Sequence, residues 1–154
     1  AASDVYKRQG DYVVGAGIAA KAKQLLSVTE YGYGKRTEIE AYLRLGEDGQ
    51  RRPQNRGGKG IKTIQVTEKT GKVAGLKVSY GTEDIVLMDN NGTIIRFACE
   101  QVSVIGRSTQ GVRLMKLSQG AKVAAGEVGA HEEPEEEEAM QAEKVVQTEP
   151  TPAE

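Results

Sequence analysis

The 154-residue sequence contains no tryptophan, one phenylalanine, one histidine and one cysteine. With 19 glycines beside so few large aromatics, the composition points to many short strands and turns more than to helices. The single cysteine, Cys99, cannot form an internal disulfide, which fits a reducing cytoplasm. Next to an apolar strand, it reads as a small core residue. No apolar run approaches the roughly 18 residues of a membrane-crossing helix, and no secretory signal is evident, so no membrane role is expected. The lone His131 lies beside an acidic run and is expected to be solvated. A metal site is not expected, because there is neither a Cys/His set nor a carboxylate cluster suited to Mg²⁺. A nucleotide-phosphate loop is not expected either, since Lys59 is followed by Gly60 where that motif needs Ser or Thr. The first residue is Ala and not Met, so the chain reads as a fragment.

What is present is charge, unevenly placed. Charged residues make up 28% of the chain and hydrophobic ones 38%, a soluble composition. The formal net charge of −1 conceals a basic body and an acidic end. Residues 1–130 carry 20 Lys/Arg against 13 Asp/Glu, a net of +7, while residues 131–154 carry one Lys against nine Asp/Glu, a net of −8. A basic body implies an anionic partner, and the acidic end implies a solvated or competing tail.

Residues 1–9 show no periodicity and read as an irregular or foreign start. Tyr12–Ile18 and Gln24–Thr29 read as strands, followed by the glycine turn and basic strand start Gly32-Tyr33-Gly34-Lys35-Arg36-Thr37. Residues 38–43 fit one helical turn or an edge strand, and polar residues 46–55 fit a loop. Then comes Gln54-Asn55-Arg56-Gly57-Gly58-Lys59-Gly60, where glycines leave backbone amides accessible beside two cations. Strands are predicted at Ile61–Val66 and Val73–Val78. A hairpin is predicted from Ile85–Met88 to Ile94–Phe97 through a two-residue Asn91-Gly92 turn. Because both faces of Ile85–Met88 are apolar, that strand is expected to be buried on both sides.

The chain also repeats. A shift of 60 places Val13-Val14-Gly15 on Val73-Ala74-Gly75, Leu25-Leu26 on Ile85-Val86, Gly32 on Gly92 and Arg36 on Arg96. A shift of 51 places Arg56 on Arg107, Gly60 on Gly111, Ile61 on Val112 and Lys62 on Arg113. The difference of nine is close to the length of the polar segment 46–55, which therefore reads as an insertion in a period of about 50 residues. The start of a further copy lies at Gly120-Ala121-Lys122-Val123. Such periods, with about four strands each, belong to propeller blades, so the expected fold is all-β. The expected organisation is a partial blade at 10–55, a blade at 56–106, closing strands at 107–128 and a disordered acidic tail at 129–154.

Gly32–Thr37, Arg56–Ile61 and Ile105-Gly106-Arg107-Ser108-Thr109-Gln110-Gly111-Val112-Arg113-Leu114 closely resemble the last two blades of the C-terminal domain in the DNA gyrase A-subunit family. The resemblance covers roughly residues 10–128 and includes the acidic tail. It implies a fragment of a β-pinwheel that wraps duplex DNA, without sequence preference, around a basic outer rim. The parent would be a cytoplasmic, nucleoid-associated bacterial type II topoisomerase that introduces negative supercoils. It would act as an A2B2 assembly with the gyrase B subunit, using ATP and Mg²⁺ bound elsewhere, with no cofactor in this fragment. The family's box, Gln-Arg/Lys-Arg-Gly-Gly-Arg/Lys-Gly, is matched by Gln54–Gly60 except at Asn55. That box lies in the family's first blade, so the present segment reads as a related blade copy.

No catalytic residue is expected in this chain. The family's cleaving tyrosine follows an arginine, and no tyrosine here does. The expected DNA contacts are Lys35, Arg36, Arg56, Gly57, Gly58, Lys59, Gly60, Lys62, Arg107 and Arg113, with Arg96 on an ambiguous face. Alternatives are the similar but more degenerate domain of topoisomerase IV, or a structural propeller that binds a protein partner.

Overall fold

The computed structural model describes residues 10–131. The predicted irregular start at 1–9 and most of the predicted acidic tail, 132–154, lie outside the described residues. Nine strands are assigned among the described residues: β1 (Gln24–Thr29), β2 (Tyr33–Glu38), β3 (Arg44–Leu45), β4 (Arg51–Arg52), β5 (Val73–Ser79), β6 (Asp84–Asp89), β7 (Ile94–Ala98), β8 (Val112–Arg113) and β9 (Val123–Gly129). Two 3-10 turns, Ile39–Tyr42 and Cys99–Gln101, follow β2 and β7. The first of these resolves the ambiguity at 38–43. Among the described residues no helix is long and apolar enough to cross a membrane.

The two main hairpins show how the repeat is written into backbone chemistry. β1 and β2 pair antiparallel from Gln24↔Glu38 to Val28↔Gly34. Sixty residues later, β6 and β7 pair from Asp84↔Ala98 to Met88↔Ile94. Three residues separate β1 from β2 and four separate β6 from β7, and each turn holds a glycine at positive φ, Gly32 at +80° and Gly92 at +85°. The Gly32 amide donates to the Thr29 carbonyl, and the Gly92 amide to the Asp89 carbonyl, both at 3.1 Å. The predicted two-residue Asn91-Gly92 turn is therefore corrected. Such a turn needs positive φ at both positions, and among the described residues only glycines have it.

The strands exchange between units. One sheet has the order β5-β1-β2-β8, another β7-β6-β9, and β3-β4 form a small third sheet. β5 pairs with β1, and β9 pairs with β6. Both pairings shift register at equivalent places, Val28/Thr29 and Met88/Asp89. Each hairpin thus takes a partner strand from a later part of the chain, and the sheets cut across the sequence segments 10–55, 56–106 and 107–128.

This exchange explains two corrections. Tyr12–Ile18 and Ile61–Val66 form no strands. By the sequence correspondence they are counterparts of β5 and β8, and both of those pair with a hairpin earlier in the chain. No hairpin precedes Gln24 among the described residues, so neither segment has a ladder to join.

The core lies where the two larger sheets meet. Leu26, Val28, Ile85, Leu87, Cys99, Val102, Met115 and Val123 form it, with Phe97, Leu114 and Val128 packed against them. Each fully buried Leu or Ile contributes about 1.5–3 kcal/mol relative to exposure. β6 is not buried on both faces as expected: Ile85 and Leu87 are fully buried, but Met88 is 37% exposed. Its second face is only partly covered.

Residues 46–55 are more ordered than a plain loop. Arg44↔Arg52 and Leu45↔Arg51 pair as a short hairpin, and Asp48 forms an ion pair with Arg52. It follows the first 3-10 turn, at a place where the second unit runs directly from Cys99–Gln101 to Ile105. His131 is also better anchored than expected. Its Nδ1 lies 2.6 Å from Asp84 Oδ1, while Arg96 Nε donates to Asp84 Oδ2 at 2.7 Å.

Candidate nucleic-acid interface

β2 has neighbours on both edges. β1 lies on one side, and on the other are β8 and the segment 103–105, held by Arg36 N–H to Ser103 and Ile105 N–H to the Arg36 carbonyl. Tyr33 through Thr37 are consequently all buried. Lys35 is 0% exposed, and its ammonium donates to the carbonyls of Gly106 (2.6 Å), Arg107 (2.7 Å) and Thr109 (3.1 Å) and to Thr109 Oγ1 (3.0 Å). Burial, and secondarily the Arg107 guanidinium, push its pKa down to about 8. Arg36 donates from Nε to the Val102 carbonyl (2.9 Å) and from Nη2 to the Glu100 carbonyl (3.3 Å). Its Nη1 reaches Gln24 Oε1 at 3.3 Å.

The expectation that Lys35 and Arg36 present charge on an outer rim is therefore corrected. Adjacent residues of a strand point to opposite faces, so the two were never able to share one exposed surface. In this interior strand both faces are covered. What the two cations do is hold the backbone of 100–109 in place.

That segment carries one of the two box-related loops. The other, Gln54–Gly60, is exposed along its whole length, with positive φ at Gly57 (+76°) and Gly60 (+80°). No heavy atom lies within 4 Å of where a Cβ would stand at either glycine, so both backbones are open to approach by a ligand. Gly58 is likewise exposed. Arg56 and Lys59 have no hydrogen bond or ion pair with the other described residues. The structure brings Lys62 and Arg107 together: Arg107 Nη1 donates to the Lys62 carbonyl at 3.3 Å, and Gln65 N–H donates to the Thr109 carbonyl at 3.0 Å. Lys62 is exposed and Arg107 half-buried.

Arg113 stands exposed on β8, opposite Tyr33. Its guanidinium lies over the Tyr33 ring, 5.4 Å from the centroid, and Nη2 donates to the phenol oxygen at 3.0 Å. That hydrogen bond is the main reason the Tyr33 pKa lies below the ordinary phenol value. Lys69 Nζ also sits 5.7 Å from the same ring centroid. Sequence reasoning missed Tyr33 and Lys69. The only local signal was the aromatic pair flanking Gly32, and nothing in the sequence placed Lys69 beside it.

These features are a repeated strand-exchanged hairpin and two box-related loops, of which 106–111 is bonded to residues 62–65, just after the other. The family model described as DNA gyrase C-terminal domain, beta-propeller, matches residues 23–50, 52–79 and 83–128. The chain belongs to the DNA gyrase C-terminal domain family. It is 44% identical over 119 residues to the DNA gyrase A subunit of Staphylococcus epidermidis, covering 76% of this chain and 12% of that protein. It is 42% identical over 135 residues to the DNA gyrase A subunit of Staphylococcus aureus strain MRSA252, covering 84% and 14%. The chain thus spans about an eighth of the length of these curated relatives. Among solved structures, a DNA gyrase A C-terminal domain aligns with a TM-score of 0.62 at 20% identity, over 72% of this chain and 35% of that one. The C-terminal domain of a DNA topoisomerase IV aligns with a TM-score of 0.55 at 22% identity, over 70% and 30%. Both support the fold. The sequence relatives favour the gyrase A subunit over topoisomerase IV, and this gyrase-family segment carries open cations on and beside the box-related loops, Arg56, Lys59, Lys62 and Arg113 among them, and none on β2.

Proposed function

We propose that this gyrase-family segment binds and helps wrap duplex DNA without sequence preference, through backbone phosphates. The observation that carries this reading is the juxtaposition of the 106–111 loop with residues 62–65, just after the Gln54–Gly60 loop: Arg107 donates to the Lys62 carbonyl and Gln65 N–H to the Thr109 carbonyl, with Arg56 and Lys59 standing open nearby in sequence. Arg56, Lys59, Lys62, Arg107 and Arg113 are the contacting side chains. Gly57, Gly58 and Gly60 let the phosphate backbone come close to main-chain amides. Lys35 and Arg36 act from within, by fixing the loop that carries Arg107.

The elastic cost of bending, of order 1–6 kcal/mol for 40–90° over 20–30 base pairs, requires contacts spread over several units. In the parent protein this segment would add its share to a longer basic rim and so support ATP-dependent negative supercoiling by an A2B2 enzyme, formed with the gyrase B subunit, in the bacterial cytoplasm. ATP and Mg²⁺ would be bound elsewhere in that enzyme, and strand cleavage would be performed elsewhere too.

The test is binding of random-sequence duplexes across a salt series. Each phosphate contact contributes about −0.9 to the slope of log affinity against log salt. A steep slope that Arg56→Ala flattens by about one unit is expected. A flat profile would instead favour a propeller that docks a protein partner.

A further inference from the structure

The tip of the β1–β2 hairpin gathers three segments that are far apart in sequence. Gly32 offers its carbonyl to the amides of Leu114 (2.8 Å) and Met115 (3.1 Å). Tyr31 N–H donates to the Thr70 carbonyl (3.1 Å), and Val123 N–H to the Glu30 carbonyl (2.8 Å). Their meeting leaves an open depression of about 430 Å³, with Tyr31 and Tyr33 on its wall and Lys69, Arg113 and Lys116 around it. Among the described residues no carboxylate lines the depression, and none of these three cations has an ion-pair partner. The neighbouring Lys122 is already engaged, with its Nζ 3.8 Å from Glu30 Oε1 and 5.9 Å from the Tyr31 ring centroid.

We infer that this depression is a further phosphate site on the DNA track, seating one backbone phosphate of the duplex between Lys69, Arg113 and Lys116. The inference rests on the DNA-binding reading above and extends it beyond the box-related loops. Three unneutralised cations converging on one concavity raise the local positive potential, and a phosphodiester is the anion that a guanidinium fork and two ammonium groups together suit. Arg113 is held in position, not merely exposed. One of its five N–H donors is anchored on the Tyr33 phenol and its Cζ lies 5.4 Å from the ring centroid, which leaves donors free for an oxyanion. The site also adjoins the proposed track, because β8 begins one residue after the loop 106–111 and Arg113 is its second residue. The hairpin tip of the second unit lacks this construction. The counterparts of Tyr31 and Tyr33 there are Asn91 and Thr93, which provide no aromatic wall.

The deciding experiment uses the 154-residue chain, the double variant Lys69→Gln/Lys116→Gln and, as a charge-matched control, Lys21→Gln/Lys23→Gln, with a random-sequence duplex. The site variant is expected to flatten the salt slope by about 0.9, the share of the one phosphate seated there, and the control by much less. Independently of any variant, the duplex is expected to shield Lys69 and Lys116 from acetylation by a small activated ester while Lys21 reacts as before. A steep parent slope that the site variant leaves unchanged, or changes no more than the control does, overturns the inference and leaves the DNA-binding reading standing. A flat parent slope overturns both. Shielding of Lys69 and Lys116 without DNA overturns the inference in favour of carboxylates from residues 132–154 occupying the depression.

Discussion

The ammonium of Lys35 lies 2.7 Å from the carbonyl oxygen of Arg107, a residue 72 positions away in sequence. One cation, itself shut off from solvent, thereby fixes the backbone beneath another that is half-buried. Gly106 and Thr109 share the same ammonium. The loop is therefore held by an interior charge together with its own Thr109, whose hydroxyl donates to the Gly106 carbonyl at 2.8 Å.

Replacing that charge tests the relationship. Lys35→Met keeps an unbranched stem of similar length but leaves the carbonyls of Gly106, Arg107 and Thr109 without their shared donor. A loss of about 1–3 kcal/mol is expected, read as a lower urea midpoint at unchanged m-value. A variant as stable as the parent would show that other donors take over those carbonyls.

Two glycines at equivalent places predict unequal costs. Gly92→Ala meets open space and bears only the left-handed backbone penalty, about 1–2 kcal/mol. Gly32→Ala adds a Cβ that would stand 2.3 Å from the Met115 carbonyl oxygen, so the chain must also shift. Its loss should clearly exceed that of Gly92→Ala in the same denaturation assay. Equal losses would mean that the contact between the hairpin tip and Met115 yields freely.

Asp84 predicts a pH dependence. Hydrogen bonds from His131 first and Arg96 next hold its carboxyl below the usual aspartate range, against the opposing effect of burial. A depressed folded-state pKa gives stability that is fully present above the unfolded value, about 3.9, and is lost as pH falls through the folded value. Thermal unfolding of the parent should therefore show a falling acid limb in that window, and Asp84→Asn should flatten it. An identical limb in the variant would place the acid sensitivity elsewhere.

Arg107→Gln separates binding from folding. Among the described residues the guanidinium's one hydrogen bond is a 3.3 Å contact to the exposed Lys62 carbonyl, so the melting temperature should move little. If Arg107 meets a phosphate, the salt slope of duplex binding should fall by about one. Unchanged binding would remove Arg107 from the proposed contacts.

The local elements of the hairpins were legible because they depend on neighbours in sequence. Alternation gave Gln24–Thr29 and Val73–Val78, the sixty-residue shift equated Gly32 with Gly92, and a left-handed turn position needs glycine wherever the rest of the chain lies. Tyr12–Ile18 and Ile61–Val66 carried the same alternation yet form no strands. Alternation records which face a segment would bury, whereas a strand also needs a partner, and the partner lies in another unit.

The candidate site divides along the same line. The sequence by itself determined an all-β repeat, a basic body, two box-related loops and the glycines in them, since composition, period and backbone preference are local properties. Only the tertiary structure decided which cations remain available to a ligand. Lys35 and Arg36 disappear into an interior strand once β8 and the segment 103–105 close over β2. Lys69 and Lys116 come to share a depression with Arg113 because three distant segments dock on one hairpin tip. A charge in the sequence becomes a binding group only when its exposure and neighbours are fixed, and both are set here by strand exchange between units.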